Sequence, residues 1–489
     1  MRVLENVEPK QVLGFFEEIS KIPRDSGKEQ AISDYLKDWA INHGLDTKQD
    51  EHYNLIIKRP AAPGQEGREP IILQAHMDMV CEKTGDSNHD FEKDPILLKM
   101  EGDIISSAVG TTLGADDGIG VAMCMAALVD SDLKTPLLEV IFTVNEETDF
   151  GGAKTVDVEG LRGKRLLNLD HAVENEILAG GCGGEAEDLE FPMTKTEVSG
   201  YSFRKITLSG LPGGHSGEDI ARGNGDAIAL LARVLRSCRE EMDIKLYFFT
   251  GGTGGTAIPR EAKAMIMIKA EEEDKLYRRV EEVRQEMTKE YQVVAPNFSL
   301  DLDVPPPNGC GCEDPCNCFD DESFEKFLQI VELFPRGIME MSGAVPGNVE
   351  SSINPGIVRT HENGCAITAE LRGSMDSTIQ QVKRKVVTLT ETFGGTLKSR
   401  NYYVSWDYNP SSALRETAIE IYREMFNEEL RTTVVHAGIE AGVFTKRIPG
   451  LDAISLGPNC WSFHSPEERM SASSANKIWK FLRALIETI

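Results

Sequence analysis

Apolar positions recur along the chain at two spacings. Residues 8–20 and 26–42 carry them at helical intervals, and Ser26 is the expected N-cap of the second helix. Tyr53–Lys58 and Ile71–Met77 read as strands, separated by the turn-rich loop Pro60–Gly67. Residues 84–103 are polar and irregular. The glycine-rich run Gly110–Gly120 then opens a helix of small residues that reaches about Leu128. Leu137–Asn145 and Arg165–Leu169 are apolar runs that predict buried strands. Strands alternating with helices predict an α/β fold: a mixed, mainly parallel sheet with helices on both faces.

Past residue 185 the pattern changes. Tyr201–Leu208, Lys245–Thr250, Ala262–Ile268 and Phe298–Val304 alternate like strands, with amphipathic helices near 226–239 and 273–290. A weaker round follows, with helices near 323–334 and 376–392 and strands at 364–371 and 396–404. This predicts an α+β layer with one solvated sheet face. The earlier style returns from about 405, with a helix over 413–427, strands Thr432–His436 and Leu451–Gly457, and a closing helix over 472–488. The expected organisation is one α/β domain, 1–185 plus 403–489, interrupted by an inserted α+β domain, 186–402.

Composition narrows the function classes. A chain of 489 residues exceeds one core, so two domains are expected. Its 80 acidic against 52 basic residues give a net charge of −28, which excludes a polyanion such as nucleic acid as a natural partner. The longest apolar run, Ile119–Val129, is too short to span a bilayer, so no membrane partner is expected. Ten cysteines with no apolar leader after Met1 predict reduced thiols and a cytoplasmic setting.

Chemistry gathers where the predicted strands end. His76-Met77-Asp78 closes one, Glu146-Glu147 a second and Asp170 a third, while His464 follows Leu451–Gly457 and Asp116 lies in the glycine-rich turn. Ligands of open α/β sheets bind beyond the carboxyl ends of strands. Imidazoles and carboxylates without cysteine suit an exchangeable divalent ion such as zinc rather than a closed structural site. Adjacent residues at a strand end point opposite ways, so Glu146 and Glu147 can hold different tasks. Each signal alone has a bland alternative: a strand end, a solvated charge, a turn or a helix cap.

Together the segments Gln74–Val80, Thr112–Gly120, Asn145–Thr148 and Asn168–Asp170 closely resemble the aminoacyl-histidine dipeptidase group (Xaa-His dipeptidase, peptidase D type) of cytosolic dinuclear zinc peptidases, related to carnosinases and aminoacylases. Gly213–Gly217, Gly251–Glu261 and His464–Glu468 match as well, so the resemblance runs nearly end to end. It implies a zinc-peptidase-like fold with an inserted lid that also forms a homodimer. It implies that His76, Asp116 and Asp170 bind one divalent metal, and that Asp116, Glu147 and His464 bind a second, with zinc first and cobalt or manganese acceptable. A water between the two metals would be the nucleophile. Glu146 would be the general base and Asp78 the residue that orients His76. The Asp116–Asp117 peptide would be cis. His215 would stabilise an oxyanion. Arg372 would clamp a substrate carboxylate, and Glu440 would help bind substrate near the metals.

The expected reaction is hydrolysis of small unblocked dipeptides, with Xaa-His as a candidate subclass. The alternatives are an amidase or deacylase acting on N-acyl amino acids, and a binding protein that has lost catalysis. Glu146 argues against the last, because binding needs no general base. Two places depart from the group. Thr256 stands where an asparagine is usual, which puts that carboxylate contact in question. Cys310, Cys312, Cys316 and Cys318 form two Cys-x-Cys pairs, read either as a soft-metal site or as a solvent loop with free thiols.

Overall fold

The structure is a computed structural model, and it describes residues 2–305 and 315–489. The chain divides into two compact units: Met1–Gly181 with Trp406–Val434 and Ile439–Ile489, and Cys182–Ser405 with Val435–Gly438.

The first unit is built on an eight-stranded sheet. Its order is Asp46–Gln49, Leu55–Arg59, Leu138–Thr143, Ile71–His76, Arg165–Asn168, Asp452–Ser455, Glu176–Gly181, Arg431–Val435. The pairs that join the four central strands, Leu138–Thr143 to Asp452–Ser455, are parallel, and the flanking pairs Leu55–Arg59 with Leu138–Thr143 and Asp452–Ser455 with Glu176–Gly181 are antiparallel. Every side chain of Ile71–His76 and Leu138–Thr143 is buried, as a strand covered on both faces requires. The two faces differ in chemistry. Ile71, Leu73, Ala75, Leu138, Val140 and Phe142 enter the main apolar core with the helices Lys10–Ile19, Ala115–Val129 and Ala472–Thr488. The alternate positions turn polar toward the strand ends, where Gln74, His76, Thr143 and Asn168 are all at most 1% exposed. The small residues of Ala115–Val129 let that helix lie almost wholly inside the core.

The second unit carries an antiparallel sheet with helices Ala227–Arg239, Glu273–Tyr291, Asp321–Leu333 and Asp376–Thr392 contributing to its apolar core. Its longest strand, Val349–His361, is masked in the sequence by Asn354-Pro355-Gly356. These residues fall where the register with Gly364–Gly373 shifts between Asn354 and Ile357, the bulged position a strand proline requires.

Several local expectations are corrected. The second helix begins at Gln30, not near 26, and Ser26 does not cap it; its hydroxyl donates to Asp78 Oδ2 at 2.8 Å. Part of the irregular stretch 84–103 is paired, as the hairpin Leu98–Glu101 with Ile104–Ser107. Cys316 and Cys318 lie in a strand, Cys316–Phe319, with both side chains buried beside Met267. The solvent-loop reading therefore fails for these two, while Cys310 and Cys312 lie outside the described residues. No helix among the described residues is long and apolar enough to cross a membrane.

Phe142 is fully buried in the central sheet. Phe142→Ala should destabilise the first unit by about 3–5 kcal/mol, read as a lower denaturant midpoint of its unfolding transition.

Candidate metal centre

Asp116 is the carboxylate on which the site converges. Its Oδ1 lies 3.1 Å from His76 Nε2 and its Oδ2 lies 3.4 Å from His464 Nε2. His76 Nε2 is also 3.8 Å from Asp170 Oδ1, and His464 Nε2 is 2.9 Å from Glu147 Oε1. Three sets of donor atoms lie within 4.8 Å of one another: His76, Asp116 and Asp170; Asp116, Glu147 and His464; and His76, Glu146 and Glu147. These residues come from the ends of three parallel strands, from the turn Gly114–Asp117 and from the loop after Cys460–Trp461.

Local backbone explains the placement. Gly114 is left-handed (φ 70°), and the Asp116–Asp117 peptide is cis. Asn145, also left-handed (φ 54°), turns the chain out of Leu138–Thr143 into the short helix Glu146–Asp149. Glu146 and Glu147 therefore do not show the strand-end alternation expected of them. They start a helix, and both reach the His76 side of the site.

Asp78 ties the two halves together. Its Oδ1 is 3.3 Å from His76 Nδ1, and its carboxylate accepts the backbone N–H groups of Glu146 (3.0 Å) and Glu147 (3.2 Å). One buried carboxylate thus orients an imidazole and caps the turn that carries two more carboxylates. Glu29 supports the same turn, accepting the Asn145 N–H at 2.9 Å. Sequence reading missed Glu29 as a contributor. No local pattern marks it, because its partner lies more than a hundred residues away.

The charge distribution fits divalent cations. Burial pushes Glu146 and Glu147 upward, and nearby carboxylates add to it. Burial, then Asp116, raises Asp170 to about 7. Hydrogen bonds to Asp116 and Glu147 raise His464 to about 10. His76 is raised despite burial, because Asp116, Asp170 and Asp78 surround it. Asp116 is held low, its burial outweighed by the two imidazoles. Four partly buried carboxylates around the buried His76 and the half-exposed His464 gather more negative charge than the two imidazoles offset, and nitrogen and oxygen donors without thiolate suit borderline divalent ions.

Glu440 opens the helix Glu440–Arg447 and is fully buried. Its Oε2 accepts from Gln74 Nε2 and Thr143 Oγ1, each at 2.6 Å, and burial raises it to about 8.

The remaining predicted residues belong to the second unit. His215 Nδ1 accepts the N–H groups of Gly217 and Glu218, both at 3.3 Å, which leaves the proton of a neutral ring on Nε2. Thr256 is exposed, and its carbonyl accepts the Ser216 N–H at 2.8 Å. Arg372 is 4% exposed, not a surface arginine, and donates to Tyr403 Oη at 2.7 Å.

The family model of peptidase family M20/M25/M40 matches residues 72–488. The chain belongs to this family. It is 34% identical over 490 residues to the cytosol non-specific dipeptidase of Escherichia coli K12, an alignment covering 100% of this chain and 99% of that one. Among solved structures it is similar to aminoacylhistidine dipeptidase from Vibrio alginolyticus, with a TM-score of 0.89, 33% identity and coverage of 99% and 98% of the two chains. A tripeptidase from Staphylococcus aureus shares the fold at a TM-score of 0.55 and 16% identity. The chain is a peptidase by family, and the amidase alternative is not favoured.

Ligands must shed protons to bind a cation, so metal uptake by this peptidase should release protons, and its affinity should fall as pH drops from 8 to 6. Calorimetric titration in two buffers of different ionisation enthalpy measures the released protons directly.

Proposed function

We propose that this peptidase hydrolyses the peptide bond of small unblocked dipeptides with two divalent cations, zinc first, held across Asp116. The observation that carries the reading is the division of one carboxylate between two imidazoles, at 3.1 and 3.4 Å. His76, Asp116 and Asp170 would hold one cation, and Asp116, Glu147 and His464 the other. Cations bound there would supply Lewis acidity for a carbonyl and would acidify a water.

The chain's own residues do the rest. Partial burial and the neighbouring carboxylates raise the proton affinity of Glu146. It takes a proton from water as oxygen attacks the carbonyl carbon, then returns that proton to the leaving amine nitrogen as the C–N bond breaks. Asp78 keeps His76 and the Glu146 turn in register. His215, with its Nε2 protonated, suits the oxyanion of the tetrahedral intermediate. Arg372 is a donor for the substrate carboxylate, Thr256 a weaker polar contact in the same role, and Glu440 helps substrate binding near the metals from behind, through Gln74 and Thr143.

The similar proteins support a dipeptide substrate, but their names divide between non-specific and aminoacyl-histidine preference. We take a broad dipeptide range that includes Xaa-His, a cytoplasmic location as in the name of the Escherichia coli relative, and a homodimer formed through the middle unit acting as lid.

A panel of dipeptides against N-acyl amino acids, run on metal-loaded and chelated protein, tests the reading. Dipeptides should be cleaved, Xaa-His among them, with activity lost on chelation; preferential cleavage of the N-acyl compounds would overturn it. Glu146→Gln should lower kcat by about 10²–10⁴-fold at unchanged metal content, measured by turnover assay and elemental analysis.

A further inference from the structure

Two buried ions of opposite sign hold the turn that carries Asp116, and neither is among the proposed metal ligands. Glu468 is 2% exposed. Its Oε2 accepts the N–H groups of Leu113 (2.7 Å) and Gly114 (2.8 Å), and its Oε1 those of Ala115 (2.8 Å) and Asp116 (3.2 Å). Four successive amides thus point at one carboxylate. Arg24, also 2% exposed, works on the carbonyl side. It donates through Nη2 to the Gly114 carbonyl and through Nη1 to those of Met77 (3.1 Å) and Asp78 (3.3 Å). The same guanidinium therefore joins the His76-Met77-Asp78 segment to the Asp116 turn.

The space for it is written into the glycines. An added Cβ at Gly114 would lie 2.5 Å from Arg24 Nη2, and one at Gly118 would lie 2.6 Å from the same atom. A side chain at either glycine would thus have to displace the guanidinium from its carbonyls, and Gly114 is in addition left-handed. A buried carboxylate and a buried guanidinium that spend their hydrogen bonds on backbone are expensive for stability alone, since burial penalises both ions. Their return is a fixed peptide run whose next side chain is the shared carboxylate.

The geometry points to Arg24 and Glu468 as positioning residues that set the two-sided presentation of Asp116 and with it the affinity for the second cation. This rests on the dinuclear reading above. Outer groups that orient metal ligands typically change affinity by 10–100-fold when altered. In Glu468→Gln the volume is kept, but an NH₂ replaces an oxygen that accepts two amides. In Arg24→Lys the charge is kept, but a single ammonium cannot span the carbonyls on both segments.

The test is titration of chelated full-length protein with Co²⁺, following the visible d–d absorption and competing with a chelator of known affinity. Wild type should take up two ions per chain. Both variants should keep the first and bind the second about 10–100-fold more weakly, with an altered d–d band. A purely structural role would lower the unfolding midpoint and leave cobalt affinity and spectrum unchanged. Wild type taking two ions while both variants titrate identically to it would overturn this inference alone. Wild type taking fewer than two would overturn the dinuclear reading and this inference with it.

Discussion

Like charges crowded within a few ångströms of one another are the constraint from which this molecule is built. Asp116, Glu146, Glu147 and Asp170 converge with His76 and His464 where the central strands end. Burial and mutual repulsion raise three of the carboxylates, and only Asp116, between two imidazoles, is held low. Such a cluster persists because the fold enforces it. The strands fix His76 and Asp170, a left-handed Asn145 sends Glu146 and Glu147 inward, and the turn at Gly114 delivers Asp116.

Enforcement comes from a layer of buried polar groups behind the cluster. Asp78 serves His76 and the Glu146 turn together, Glu29 steadies Asn145, and Glu468 with Arg24 grips both sides of the Asp116 turn. On the polar sheet face, Asn168 donates to Gln74, which donates to Glu440. These groups tie segments far apart in the sequence, including the first thirty residues and the last thirty. That sharing explains why the first unit is assembled from three stretches of chain rather than one.

Much of this was legible in the sequence where periodicity or a strand end carried the signal. The central strands, the small-residue helix, His76 and Asp170 stand at such places, while Asp116 in its glycine-rich turn and His464 in its loop stood out through the resemblance. Ser26 misled because a serine before an apolar helical run has the form of a cap, yet its hydroxyl serves Asp78. Val349–His361 was hidden by a Pro-Gly pair that a bulge absorbs. Glu146 and Glu147 were expected to diverge by strand alternation, whereas the left-handed turn at Asn145 starts a helix that brings both toward His76. Arg24 and Glu29 could not be found by pattern, since an isolated charge looks solvated until its distant backbone partners are known. Glu468 lay inside a segment that resembles the family, but its hold on four amides needed coordinates.

The central claim is that Asp116 is shared between two cations only a few ångströms apart. Electron paramagnetic resonance of chelated protein reloaded with two equivalents of Mn²⁺ tests it most directly. The account predicts an exchange-coupled spectrum from a carboxylate-linked pair, distinct from that of a half-loaded sample. The six-line spectrum of isolated Mn²⁺, simply doubled in intensity at the second equivalent, would contradict it.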